Sequence, residues 1–195
     1  MKVVIIKYNA GNIRSVLFAL ERIGVEAIAT DNHDEIRSAD KVIFPGVGEA
    51  SSAMRYLKEK ELDTLICSLK QPVLGICLGM QLMCAHSEEN NTKCLGIFNQ
   101  NVKRFAKTGL KVPQIGWNNI TNLKSPLFEG INENEYMYFV HSYYVENCPD
   151  AIAKTDYIQQ YSSAINKNNF YAVQFHPEKS GEAGQKILQN FITKI

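Results

Sequence analysis

The sequence contains no apolar run long enough to cross a membrane, because its longest apolar runs have only the length of a strand. Residues 1–6 also lack a signal-like apolar region followed by a small-residue cleavage site. The five cysteines are an odd set without a Cys-x-x-Cys pair, which argues against a disulfide framework and against a zinc site. We therefore expect a soluble protein of a reducing, cytoplasmic compartment.

The sequence also lacks a strong charge bias and the usual nucleotide motifs. A net charge of +1 argues against nucleic acid or an anionic membrane as the main partner. No Gly-Lys-Ser/Thr follows the glycines at 46–48, and Gly-x-Gly-x-x-Gly does not occur, so we predict no nucleotide, metal or other cofactor. Without a linker, repeat or low-complexity stretch, residues 1–195 are expected to form a single domain.

The first half of the sequence alternates short apolar runs with segments of helical spacing. Strands are predicted at 3–6, 25–30, 41–44 and 73–76, and helices at 13–23, ended by Gly24, and within 50–69. Asn12 is a candidate N-cap of the first helix. This alternation indicates right-handed crossovers and a mostly parallel sheet covered on both faces, in which ligands bind at the carboxyl ends of the strands.

After about residue 94 the pattern changes to short strands rich in aromatic and β-branched residues. They are predicted at 95–106, 112–121, 135–146, 151–157, 161–166 and 170–175, with a hairpin turn at 167–169. A closing helix is predicted from about Ser180. This half of the chain indicates an antiparallel extension of the sheet.

Cys77 marks the corner between a buried strand and the helix that follows it. Gly75 and Gly79 flank it at equal spacing, which allows a sharp turn without a Cβ clash. Unpaired N–H groups and the helix dipole favour a thiolate at such a corner. The N–H of Leu78 is expected to be free to bind negative charge that develops on a substrate oxygen. The spacing favours a nucleophile over the alternative, a buried structural cysteine.

His176 and Glu178 follow the last predicted strand and are the candidate base and its orienting group. Residues two apart on an extended backbone point to the same side, so the carboxylate can fix the imidazole tautomer and stabilise its cation. The alternative is a surface histidine beside an unrelated acid. For His141, which ends another apolar strand, lining the pocket and capping the strand are equally open.

The loop Pro45-Gly46-Val47-Gly48 ends the third predicted strand. Its glycines can turn backbone N–H groups towards a ligand, so the loop is expected to complete an oxyanion hole with Leu78. An ordinary turn between strand and helix is the alternative.

Two motifs together identify a family resemblance over essentially the whole chain. Residues 75–82 (Gly-Ile-Cys-Leu-Gly-Met-Gln-Leu) and 174–178 (Gln-Phe-His-Pro-Glu) resemble the class I (triad) glutamine amidotransferases, in the order and separation usual for that family. The resemblance implies a flavodoxin-like three-layer α/β fold. It also implies hydrolysis of L-glutamine to glutamate and ammonia through a thioester on Cys77, with His176 as base and acid and Glu178 as its orienting group.

The chain is most similar to the members of this family that serve histidine biosynthesis. The likeness is carried by residues 8–16, 45–48, 87–89, 112–113, 116–118, 138–143 and 179–180. It implies a heterodimer in which ammonia passes to a separate cyclase subunit with a (β/α)8 barrel. By the family pattern, the oxyanion hole involves Leu78, Val47 and Gly48, substrate is held by Gly46, Gln81, Glu89, Ser142 and Tyr143, and the partner interface includes Asn12, Trp117, Tyr138 and Lys179.

Two positions depart from the family pattern, and three other functions remain open. Asn9 stands where glycine is common, and Gln114-Ile115 where histidine is usual; both are expected near the partner face. A related glutaminase could supply ammonia for amidation of a surface sugar. The chain could also be a flavodoxin-like binding module without activity. A cysteine peptidase is less consistent with a slot narrow enough for free glutamine.

Overall fold

A computed structural model describes residues 1–9 and 11–195 of the chain, so Ala10, within the turn predicted at 9–12, lies outside the described residues. The first half contains β1 (Val3–Ile6), α1 (Ile13–Arg22), β2 (Ala27–Thr30), α2 (His33–Arg37), β3 (Lys41–Phe44), α3 (Ala50–Glu59), α4 (Leu62–Ser68), β4 (Val73–Ile76) and α5 (Leu78–Met83). The second half contains β5 (His86–Ser87), β6 (Thr92–Lys93), β7 (Asn101–Arg104), β8 (Gln114–Ile120), β9 (Glu135–His141), β10 (Tyr143–Val145), β11 (Ala151–Tyr157), β12 (Gln159–Lys167), β13 (Phe170–Val173) and α6 (Gly181–Lys194).

The large sheet has a parallel half and a mostly antiparallel half. Its order is β2-β1-β3-β4-β13-β12-β10-β7-β5-β6, with β11 paired to β12, and the strands from β2 to β13 are parallel. The strands beyond β13 pair antiparallel, except that β5 and β7 are parallel. The predicted parallel sheet with an antiparallel extension in the second half is therefore confirmed.

Helices cover both faces of the parallel strands because alternate strand residues are apolar on both sides. Val4, Ile6 and Phe44 pack with α2, α3 and α4, whereas Val3 and Ile5 pack with α1 and α6. A separate antiparallel pair, β8–β9, contributes to the second of these cores through its inward residues. The arrangement is the three-layer α/β architecture that the family resemblance implied.

Several predicted boundaries shift for identifiable reasons. The strand predicted from residue 25 begins at Ala27, because the N–H of Val25 donates to the Leu20 carbonyl and so ends helix α1. The strand predicted at 95–106 is formed only at 101–104, because Leu95, Gly96 and Phe98 donate to carbonyls at the end of α5 and beyond it. The hairpin turn at 167–169 is confirmed. Within the described residues, the helices are too short and too polar to cross a membrane.

Candidate active site

The register of three parallel strands places the candidate catalytic segments side by side. In β4, Gly75 pairs with Phe44 of β3 on one side and with Ala172 of β13 on the other. All three strands therefore end at the same level of the sheet. The loop at 45–48, the corner at Cys77 and the segment 174–178 emerge next to one another at this carboxyl edge.

The backbone at Cys77 is strained as expected for a sharp corner. Its torsion angles are φ 53° and ψ −107°, a region that residues with a Cβ rarely adopt. Helix α5 then starts so close to β3 that a Cβ on Gly79 would lie 1.9 Å from the Phe44 carbonyl oxygen. Only glycine allows this approach, as predicted. Helix α5 has six residues, so its dipole is small.

The side chains of His176 and Glu178 form a buried hydrogen-bonded pair. Nδ1 of His176 lies 2.7 Å from Oε1 of Glu178, while Nε2 of His176 is buried and has no hydrogen-bond partner in the described part of the chain. Because the carboxylate accepts at Nδ1, Nε2 is the ring nitrogen left for proton transfer. The pairing expected from their spacing of two residues is thus present.

The charge state of His176 depends on both of its neighbours. Burial lowers the pKa of His176, but the nearby Cys77 sulfur, followed by the hydrogen bond and charge of Glu178, raises it to about 10. The imidazolium is therefore favoured whenever the sulfur is a thiolate.

Asn12 contacts the candidate triad instead of capping its helix. It occupies the predicted N-cap position of α1 with φ 75°, but its side chain makes no cap hydrogen bond there. Its Nδ2 instead donates to Oε1 of Glu178. The same carboxylate oxygen thus accepts from both Asn12 and His176. The interface role of Asn12 stays a prediction.

The backbone N–H of Leu78 is occupied, so the expectation that it is free is wrong for this conformation. It donates to the Gly46 carbonyl at 3.3 Å, and the next carbonyl of the loop, that of Val47, accepts from Gly11 at 3.3 Å. The Tyr8 hydroxyl also holds the loop by donating to the Pro45 carbonyl at 2.7 Å. An oxyanion could bind Leu78 only after the Gly46 carbonyl turned away.

One cavity of about 240 Å³ opens in front of the Cys77 sulfur. Most of the residues predicted for the oxyanion hole and for substrate line it: Val47, Gly48, Leu78, Gln81, Glu89, Ser142 and Tyr143. Gly46, in the same loop as Val47 and Gly48, is buried and does not line the cavity. Pro113, Val140 and His141 line it as well. All three lie in segments that carry the family resemblance, but only His141 was singled out as a candidate pocket residue.

Glu89 provides a carboxylate at one end of this cavity. Burial raises the pKa of Glu89, which a hydrogen bond from the Ala50 N–H partly opposes. The neighbouring Glu49 is tied to the first turn of α3 and to Asn90 by hydrogen bonds. These bonds hold the two segments that carry Glu89 and the 45–48 loop together. The arrangement suits an ammonium group of a small ligand.

A bend at Ser142 shapes another part of the cavity wall. The strand predicted at 135–146 is interrupted there, so β9 lies in the small sheet and β10 in the large one. The Tyr143 carbonyl accepts from Nδ1 of His141 at 2.7 Å and from Nε2 of Gln81 at 3.0 Å. His141 therefore lines the pocket and also fixes the backbone of the predicted substrate segment.

Gln114 lies in the interior, so its predicted place at the partner face is wrong. It is 3% exposed, and its Oε1 accepts from the Tyr161 hydroxyl at 3.1 Å. That hydroxyl in turn lies 3.2 Å from Nε2 of His141. The departure from the family pattern at this position thus bears on the wall of the pocket. Ile115 beside it is exposed, and so is Asn9.

Three of the four predicted interface residues form one surface cluster. Trp117 of β8 pairs with Tyr138 of β9, with the rings edge to face at 6.0 Å, and Lys179 Nζ lies 5.9 Å from the Tyr138 ring centre. Trp117, Ile115 and Tyr136 are 55%, 65% and 57% exposed. An exposed aromatic group of this kind is typical of a protein interface.

Among the described residues, no three or more His, Cys, Asp or Glu side chains are grouped so that they could hold a metal ion.

Comparison with known proteins agrees with this geometry. Residues 4–195 match the family glutamine amidotransferase class I. Imidazole glycerol phosphate synthase subunit HisH from Bacteroides fragilis is 61% identical over 194 residues, which cover 98% of this chain and 99% of that protein. The protein of the same name from Haemophilus influenzae is 46% identical over 196 residues, covering 100% and 98%.

The fold comparison agrees as well. A crystal structure of a glutamine amidotransferase superposes with a TM-score of 0.77 at 18% identity, covering 98% of this chain and 97% of that one. At this identity the likeness shows the fold alone. Together with the sequence matches, it confirms the resemblance inferred from the two motifs. The chain belongs to the class I glutamine amidotransferase family, and its relatives at 46–61% identity are named imidazole glycerol phosphate synthase subunit HisH.

Proposed function

We propose that this chain is the glutaminase subunit of an imidazole glycerol phosphate synthase and acts as a single glutamine amidotransferase domain over residues 1–195. It would hydrolyse L-glutamine to glutamate and ammonia and pass the ammonia to a separate cyclase subunit in histidine biosynthesis. The observation that supports the proposal most strongly is the parallel pairing of β13 with β4, because the buried His176–Glu178 pair follows β13 as Cys77 follows β4.

The reaction follows from the proton positions at this site. Cys77 transfers its thiol proton to Nε2 of His176, and the thiolate attacks the side-chain amide carbon of glutamine. His176 then donates the proton to the departing ammonia, which leaves a γ-glutamyl thioester on sulfur. A water molecule, deprotonated by His176, attacks the thioester and releases glutamate, which regenerates the thiol. Glu178 stabilises the imidazolium throughout.

The tetrahedral intermediate requires N–H donors that are not yet available. Leu78 is the nearest candidate, with Val47 or Gly48 as the second donor, but the Gly46 carbonyl holds the Leu78 N–H. We therefore propose that the loop at 45–48 turns before or during catalysis. Low glutaminase activity of the free chain, increased by the partner and its ligand, is the expected consequence.

Substrate and partner are assigned by the chemistry of the surfaces. Within the cavity, Glu89 would bind the α-ammonium of glutamine, Gln81 would present its remaining oxygen, and the backbone at Ser142–Tyr143 would lie alongside. The exposed group around Trp117, Tyr138 and Lys179 would dock the cyclase, whose (β/α)8 barrel we infer from the family. The cavity of about 240 Å³ favours a free amino acid over a polypeptide.

The test is co-purification with the candidate cyclase, followed by glutaminase assays with and without its nucleotide substrate. Cys77→Ala should abolish glutamine hydrolysis but preserve binding and the ammonia-dependent reaction of the complex. Trp117→Ala should weaken binding instead and leave residual glutaminase activity in the free chain. Loss of ammonia-dependent synthesis in Cys77→Ala would show that Cys77 is structural. Full glutaminase activity of the isolated chain would refute the proposed control by the loop. Co-purification with a sugar-modifying synthase in place of the cyclase would refute the proposed partner.

A further inference from the structure

Gln174 is a buried amide beside the nucleophile to which neither the triad nor the substrate pocket gives a role. Its side chain is 0% exposed, and its Nε2 lies 3.6 Å from the Cys77 sulfur, within hydrogen-bond reach of that atom. The register of β13 against β4 explains this position, because Gln174 follows the last paired residue of β13 as Cys77 follows that of β4.

Whether Gln174 stabilises a thiolate depends on which end of its amide faces the sulfur. An N–H favours the charged thiolate, whereas a carbonyl oxygen can only accept from the neutral thiol. Nitrogen and oxygen of an amide have nearly the same shape, so the direction must be argued from the hydrogen bonds around it.

A backbone carbonyl fixes the direction of the amide. The Tyr143 carbonyl can only accept, so the end of Gln81 that lies 3.0 Å from it must be the NH2 group. The second N–H of that group points to Gln174 at 2.9 Å and requires an acceptor, which is Oε1 of Gln174. Nε2 of Gln174 is then the atom left to face Cys77. Only this orientation of the two side-chain amides satisfies all three hydrogen bonds, from Gln81 to Tyr143, from Gln81 to Gln174 and from Gln174 to Cys77.

We propose that Gln174 is a catalytic residue that stabilises the Cys77 thiolate through its Nε2–H. The role of the sulfur in this proposal rests on the proposed function. When Sγ gives its proton to Nε2 of His176, the negative charge that appears on sulfur is held by this donor. When the carbon–sulfur bond forms, the charge moves to the substrate oxygen and the bond from Gln174 weakens. Gln81 acts in this step as a positioning residue, because it holds the Gln174 amide in the donating direction.

The test is the pH dependence of Cys77 alkylation by iodoacetamide, measured by mass spectrometry of the Cys77 peptide so that exposed Cys67 does not interfere. Hydrogen bonds to a charged atom contribute enough that Gln174→Met should slow alkylation near neutral pH about tenfold and move the rate curve about one unit to higher pH. Asn190→Leu is the matched control, since Asn190 is another fully buried amide that donates to the Leu127 and Glu129 carbonyls of a distant turn. It should lower stability and leave the alkylation curve in place.

A folded Gln174→Met variant with the wild-type curve would overturn the proposal. If that variant does not fold, Gln81→Met decides, because it releases the Gln174 amide without removing it. A shift to higher pH then supports the proposal, and an unchanged curve overturns it. Alkylation needs no glutamine, so a shifted curve in a protein that hydrolyses no glutamine would refute the proposed function and leave the role of Gln174 standing.

Discussion

The buried imidazole of His141 should make the protein lose stability in mild acid, and a single substitution can isolate this effect. His141 is 6% exposed and is packed among Phe105, Phe139 and Tyr161. Burial, opposed by the hydrogen bond to the Tyr143 carbonyl and reinforced by nearby His176, lowers the pKa of His141 to about 4. In the unfolded chain the same group titrates near its usual value of about 6.5.

The sign follows from proton binding in the two states. Between about pH 4 and 6.5 the unfolded chain binds a proton at His141 that the folded protein does not, so the free energy of unfolding falls as the pH falls. A difference of about 2.5 pKa units corresponds to about 3 kcal/mol, lost at up to about 1.4 kcal/mol per pH unit. This is a large share of a typical stability of about 5–15 kcal/mol.

The assay compares urea unfolding of the wild type and His141→Gln, followed by far-ultraviolet circular dichroism between pH 4.5 and 7.5. Glutamine keeps a donor and an acceptor but does not titrate, so the difference between the two proteins cancels the contributions of the carboxyl groups. His176 does not confuse the result, because it is present in both proteins and its contribution cancels in the difference. Its own contribution is lost only as the pH rises from about 6.5 towards 10.

The expected result is that the wild type loses stability relative to His141→Gln as the pH falls from 6.5. Parallel curves over the whole range would refute the argument. They would mean that His141 is protonated in the folded protein or that water reaches it, and the Tyr143 carbonyl would then not be held by a neutral ring.

Two further substitutions test the corner and the triad. Gly79→Ala should lower the free energy of unfolding by about 1–3 kcal/mol and reduce glutaminase activity, because the new Cβ would lie 1.9 Å from the Phe44 carbonyl oxygen; an unchanged urea midpoint would contradict the close packing. Glu178→Gln keeps the shape of the side chain but removes the charge beside His176, so kcat should fall about 100-fold while the unfolding midpoint changes little. Glu182→Gln, at an exposed position in the first turn of α6, is the control that should keep full activity, and an equal loss in both variants would exclude Glu178 from the mechanism.

The corner at Cys77 could be predicted from the sequence because its cause is local. A strand-sized apolar run, a cysteine and two glycines at fixed spacing are enough to require a tight turn, and the close approach of Gly79 to Phe44 is its structural reason. The likeness of His176-Pro177-Glu178 to a base and its partner was also local. Their contact with Cys77 was not, because it depends on a pairing between strands almost a hundred residues apart. The family resemblance supplied that step.

The second half of the chain was harder to predict because tertiary contacts decide its elements. Residues 95–98 have strand-like composition, but three of their N–H groups bind carbonyls at the end of helix α5 and just beyond it, so they cannot extend β7. The two-residue strands β5 and β6 are too short to leave any periodic signal. The single apolar run at 135–146 hides a change of sheet at Ser142, which no periodicity reveals.

The roles of polar residues depended even more on context. Asn12 and Gln114 stand in segments assigned to the partner face, yet one side chain binds Glu178 and the other binds Tyr161 in the interior. A residue next to an exposed neighbour in a strand faces the opposite side, so Gln114 points inward for the same reason that Ile115 points outward. Alternation along β8 could have located Gln114, whereas nothing local could have located its partner.

Hydrogen bonds of the Tyr138 backbone connect the proposed docking face to the proposed catalytic base. The ring of Tyr138 lies in the exposed aromatic group, while its backbone carbonyl accepts from the His176 N–H at 2.9 Å and its N–H donates to Ser180 Oγ at 2.9 Å. Ser180 Oγ in turn donates to the His176 carbonyl at 2.6 Å. The proposed base is therefore held by the strand on which a partner would dock, whereas the proposed oxyanion donors belong to the loop after β3 and to α5. Because His176 and Glu178 are already paired, a partner has little left to organise at the base, and any large change on docking must come from the loop whose Gly46 carbonyl holds the Leu78 N–H.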